Sequence, residues 1–224
     1  MHPTFAVGES DWPYPEDIPT PKNVDVGLAG EKPQEINRYL LAQGARSVSL
    51  SPDGESLAYI WSITGEPQLW RMPSGGGAPE QLTFGGGITF YAFLPNGSEF
   101  LIGRDLEGNE REGFSILSQD GSSERQLLPA SGAFRRLGDF SSDGKKAIYA
   151  STERNGRDFD LYVLEVASGE TRLVYESEFG FFPEAWQPNG DLVVVSETRG
   201  EDANDVYLLN AKTGDMTPLM RPKI

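Results

Sequence analysis

Cysteine is absent from the 224 residues, which excludes a disulfide framework, a thiolate zinc site and a cysteine nucleophile. Histidine is nearly absent. The only one is His2, in a proline-rich terminus where nothing fixes the geometry of an imidazole. A Ser-His-Asp triad needs a histidine held between serine and carboxylate, so a self-sufficient serine hydrolase is not expected. No serine has glycine at both i−2 and i+2, which removes the nucleophile elbow as well. Positive charge is scarce: 19 Lys and Arg stand against 34 Asp and Glu, a net charge of −15. A field of that sign repels phosphate backbones, so nucleic acid is not an expected partner. No apolar run of ~18 residues exists to span a membrane. The first residues lack the basic and apolar regions of a secretory signal. The expected location is the cytoplasm, or the periplasm if a leader has been removed.

Turn-forming residues, by contrast, are plentiful, with 26 Gly and 16 Pro. Hydrophobic content of 38% with 12 Phe, 8 Tyr and 4 Trp is too apolar and aromatic for a disordered chain, and suits half-buried β-structure. The informative stretch is Leu50-Ser51-Pro52-Asp53-Gly54-Glu55-Ser56-Leu57-Ala58-Tyr59. Pro52 presets φ, Asp53 can bond its own backbone and Gly54 tolerates positive φ, so apolar residues on both sides make this a β-hairpin. The device returns at Pro95-Asn96-Gly97, Ser142-Asp143-Gly144 and Pro188-Asn189-Gly190, at intervals of 43, 47 and 46 residues. A large apolar residue stands two places before each turn: Leu50, Phe93, Phe140 and Trp186. A second landmark, Leu82, Leu127, Leu173 and Leu219, keeps the same phase near the end of each unit.

Four short strands per unit of about 45 residues define a β-propeller blade. The expectation is an all-β propeller of four-stranded antiparallel blades, four of them, in an open or partial ring. The blades fall at about 45–84, 88–129, 134–176 and 181–220. A lone sheet exposes both faces, so Phe93, Phe140 and Trp186 should pack between blades. Residues 1–44 read as an extended proline-rich arm, with Pro33–Gln43 as a short helix closed by Gly44 or, alternatively, a strand.

The segments Ser51–Tyr59, Gln68–Met72 and Gly75–Thr83 resemble the blade motif of the prolyl-oligopeptidase family of serine peptidases, a motif shared with periplasmic propellers of the Tol type. Arg154-Asn155-Gly156 with Phe159–Val163, and the proline-rich arm, add to the peptidase resemblance, which covers residues 45–220. It implies the propeller part of a peptidase acting on short peptides, in which a propeller covers an α/β-hydrolase domain and restricts access by size. That domain, with all bond-making chemistry, is not in this chain. The alternative is a non-enzymatic Tol-like scaffold binding protein partners. Propellers of these families carry seven or eight blades. The hydrolase domain, or a second chain completing the ring, including a second copy of this one, is therefore the expected partner.

The loops between second and third strands share one face. Three of them open with an arginine, Arg104, Arg154 and Arg199, and together with Glu201 these are candidate contacts for a peptide's charged ends or a partner domain. Solvated loops with local ion pairs would carry the same pattern. No metal or other cofactor is expected: the acidic group Glu197, Glu201, Asp202 and Asp205 lacks the alternating ligands and central Gly of an EF-hand loop. Gly75–Gly77 and Gly85–Gly87 are not followed by the Lys-Ser/Thr of a phosphate loop.

Overall fold

The computed structural model describes residues 44–200 and 203–221. The expected arm and short helix, and Glu201, lie outside the described residues. Among the described residues, sixteen strands form four antiparallel sheets in chain order. The first sheet holds Arg46–Leu50 (β1), Ser56–Trp61 (β2), Gln68–Pro73 (β3) and Glu80–Gln81 (β4). Phe90–Phe93 (β5), Glu99–Arg104 (β6), Gly113–Ser118 (β7) and Glu124–Leu128 (β8) make the second. The third is Arg135–Phe140 (β9), Lys146–Ser151 (β10), Asp160–Glu165 (β11) and Thr171–Tyr175 (β12). Phe181–Trp186 (β13), Leu192–Gly200 (β14), Ala203–Asn210 (β15) and Met216–Met220 (β16) complete the fourth. Within each sheet every strand pairs with its sequence neighbour. These sheets are propeller blades in an array that does not close into a ring. No helix occurs among the described residues, hence none long and apolar enough to cross a membrane.

The recurring turn works as its side chains dictate. Gly54 donates to the Ser51 carbonyl at 2.8 Å with φ of +76°, and the Asp53 carboxylate accepts from the Glu55 amide at 3.0 Å. In the fourth unit Asn189 itself takes the left-handed conformation, with φ of +56°.

Alternation along the middle strands supplies each blade with two apolar faces. Ala147 and Tyr149 of β10 pack on the second blade, whereas Ile148 and Ala150 pack on the fourth. Three cores result, one per junction. Ala58, Ile60 and Leu69 meet Phe100, Ile102 and Leu117, and Leu101, Phe114 and Ile116 meet Tyr149, Tyr162 and Leu164. Ile148, Leu161 and Val163 meet Trp186, Val195 and Tyr207. Phe140 and Trp186 are buried at these junctions, and Phe93 is half-buried against Phe100, ring centroids 4.5 Å apart. Leu50, in the same phase, is 58% exposed, with no blade before the first among the described residues.

First strands converge where blades meet. The Trp186 amide of β13 donates to the Asp139 carboxylate of β9 at 2.7 Å. Gly138 lies so close to β13 that a β-carbon there would sit 2.6 Å from the Pro183 ring.

Candidate functional site

Backbone hydrogen bonds tie the ends of the second strands to the starts of the first strands. Thr89 donates to the Gly103 carbonyl at 2.9 Å, Thr152 to that of Phe134 at 3.1 Å and Thr198 to that of Gly180 at 3.0 Å. The loops between second and third strands therefore gather beside the starts of the innermost strands.

On this face the three arginines singled out from sequence are each engaged by their own blade or an adjoining link. Arg154 grips the fully buried Asp160 through Nε and Nη2 at 2.7 and 2.9 Å, and Nη2 also donates to the Ser177 carbonyl. Arg199 Nη1 holds the fully buried Asp205 at 3.1 and 3.2 Å, with Arg221 Nε on the same carboxylate at 3.2 Å. Arg104 pairs with Glu124 at 3.1 Å and donates to the Gly87 carbonyl at 2.6 Å. The sequence carries a signal for the first two clamps. Each arginine precedes by six residues an aspartate near the start of the third strand, where β3 instead opens with Gln68, bonded to Thr83 and Gly85.

Burial, the largest single influence on Asp205, opposes its ionisation, but hydrogen bonds from Arg199 and Arg221 win and hold the carboxyl below the usual range. Nearby, burial and the Glu197 carboxylate push the Tyr207 hydroxyl up to about 12; that hydroxyl donates to Glu197 at 2.6 Å.

A cleft of about 470 Å³ opens beside these clamps, lined by residues the sequence reading did not single out. Its floor is a run of phenyl rings: Phe134 lies 6.4 Å from Phe159, which lies 5.1 Å from Phe182. The Arg111 guanidinium covers Phe134 at 3.7 Å and that of Arg136 lies over Phe182 at 4.8 Å, both within cation–π range. Arg135 is buried and fully used, donating to the carbonyls of Glu112 and Pro129, to Ser131 and to the Glu153 carboxylate. Its neighbour Arg136 is exposed and has no carboxylate partner among the described residues. Asp105, Glu110 and Glu112 also line the cleft. Burial first, then the charges of Asp105 and Glu110, push the Glu112 carboxyl up. The arrangement offers an apolar floor with a cation and a set of acidic groups around it. It suits an extended ligand with an apolar side chain, a carboxylate near Arg136 and a cationic group near the acidic groups.

No family model matches the chain. A relative from Agrobacterium fabrum (strain C58), described only as an uncharacterized protein, is 27% identical over 173 residues, covering 75% of this chain and 57% of the relative. Among solved structures, a protein assigned as TolB from Agrobacterium tumefaciens superposes with a TM-score of 0.64 at 20% identity, over 79% of this chain and 66% of that one. An oligogalacturonate lyase in complex with manganese gives 0.64 at 15% identity, over 78% and 51%. Prolyl oligopeptidase B from Galerina marginata gives 0.61 at 16% identity, over 83% of this chain and 29% of the other. The chain thus spans less than two thirds of the length of these proteins. Their named functions differ while the blades superpose, so what these likenesses share with this chain is its architecture: a set of β-propeller blades.

Proposed function

We propose that this chain is a non-catalytic propeller module that binds an extended segment of another protein in the cleft floored by Phe134, Phe159 and Phe182. The observation that carries this reading is the contrast on the loop face. Arg104, Arg154 and Arg199 are engaged in intramolecular bonds, whereas Arg136 is exposed over an apolar floor with no carboxylate partner among the described residues. A TolB-like role as a protein-binding scaffold fits this geometry, because the cleft offers recognition groups and the chain offers neither a nucleophile elbow nor a placed histidine.

The test is fluorescence anisotropy with labelled decapeptides that place Leu or Phe between a basic residue and a carboxylate, against peptides lacking one of the three. Binding should weaken by about tenfold or more on Arg136→Ala or Phe159→Ala, as for a central anchor of a peptide site. No binding by any such peptide, or binding that ignores both substitutions, overturns the reading.

A second reading is the propeller cover of a serine peptidase. It is favoured by the blade motif of Ser51–Tyr59 and Gln68–Met72 and by the likeness to prolyl oligopeptidase B, of which the blades match 29%. It requires a Gly-x-Ser-x-Gly segment in the same reading frame after residue 224, which sequencing the source locus decides.

A further inference from the structure

The three junctions between blades repeat one design, and the two outermost faces carry its unmatched halves. At each junction a glycine in the turn after the third strand lies against the end of the fourth strand of the blade before it. A β-carbon at Gly121 would meet the Leu82 carbonyl oxygen at 2.7 Å, one at Gly169 that of Leu127 at 3.0 Å, and one at Gly214 that of Val174 at 2.6 Å. In the first blade this place is held by Gly76, where an added β-carbon would meet nothing within 4 Å among the described residues. At the other end of the array, Leu219 continues the Leu82, Leu127 and Val174 series; in the third blade Val174 holds this place rather than Leu173, which the register sets opposite Tyr162. Leu82 is 2% exposed and Leu127 9%, but Leu219 is 55% exposed.

The sheet faces agree. Leu57, Tyr59, Trp70 and Met72, paired across β2 and β3, occupy the places that in the third blade hold Ala147, Tyr149, Tyr162 and Leu164 against the preceding blade; Tyr59 is buried, whereas Leu57, Trp70 and Met72 are half-buried. Val194, Val206 and Leu208 occupy the places of Ile148, Leu161 and Val163, which face the following blade. The first blade is therefore built to receive a fourth-strand end, and the fourth blade presents one.

We propose that two copies of this chain close one ring of eight blades, with the Leu219 strand end of each copy seated under Gly76 of the other. A two-fold axis makes both junctions at once, so the assembly closes and leaves no blade face bare. The junctions between copies are weaker than those within a chain. Inside, Arg71, Arg125 and Arg172 reach across to the carbonyls of Gln119, Val166 and Ala211 at 2.7–3.0 Å. In β16, Thr217 stands opposite Leu208 where β8 and β12 carry Arg125 and Arg172. Two copies of net charge −15 also repel each other, so dimerisation should strengthen with added salt.

Sedimentation velocity on the purified chain across concentration and ionic strength tests this. The expected result is a reversible doubling of mass that stops at two copies and is favoured by salt. Leu219→Asp adds a charge to the seated strand without touching a glycine turn, and Gly76→Ala adds a β-carbon where the proposed neighbour leaves no room, in a turn whose φ of +94° also strains an alanine. Each should restore the single-chain mass with an unchanged far-UV circular dichroism spectrum. A single-chain mass at every concentration, open-ended growth, or a dimer indifferent to both substitutions overturns the proposal.

Discussion

Trp186 shows how much one side chain holds. It is buried between the third and fourth blades, its indole donates to the Gly190 carbonyl at 2.9 Å, and its backbone amide is fixed by Asp139. Trp186→Ala removes both the packing and the indole bond, and should cost about 3–5 kcal/mol in urea unfolding. A loss below about 1 kcal/mol would mean that the side chain is not core. Asp205 supplies a pH dependence at the same scale. Its folded carboxyl titrates below the unfolded one, so the stability it contributes is present above the unfolded value near ~4 and is lost as pH falls through the lower folded value. Thermal unfolding followed from neutral pH down through that window should show the acid-side loss, and Asp205→Asn should flatten it while lowering the melting temperature at pH 7.

Among the elements, the convergence of β9 and β13 sets the geometry of the loop face. Gly138 permits it, since any β-carbon there meets both the ring and the carbonyl of Pro183 within 2.7 Å. Gly138→Val should therefore force the innermost strands apart and destabilise by about 1–3 kcal/mol or more, as overpacking does, read by chemical denaturation. The hairpin turns were legible because their chemistry is local: proline, an Asx side chain and glycine act within four residues. The clamps were only half legible. Arginines opening the loops were visible, but whether they faced a ligand or Asp160 and Asp205 depended on how each loop folds back.

For the whole molecule, the open array is the governing fact. Each internal junction covers apolar faces that a single sheet cannot hide, and the cores centred on Phe100, Tyr149 and Val195 are the result. The outermost faces keep the same patterning with no further blade among the described residues, and Val48 and Leu50 at one end and Leu219 and Met220 at the other are more than half exposed. The cleft is also a product of this scale. Phe134, Phe159 and Phe182 come from a blade link, a loop and an inner strand, and no spacing in the chain marks them as neighbours.

The number of blades, their phase, their turns and the alternation that gives each two apolar faces follow from residue order alone, because those properties arise within a hairpin or from a fixed repeat. Tertiary structure decided which charged groups satisfy one another, which aromatic rings meet in a cleft, and which faces stay uncovered. The ion pairs depend on how each loop folds back on its own blade, as for Arg154 and Asp160 six residues apart; the cleft and the uncovered faces depend on how blades pack, which brings together Phe134, Phe159 and Phe182 from more than twenty positions apart.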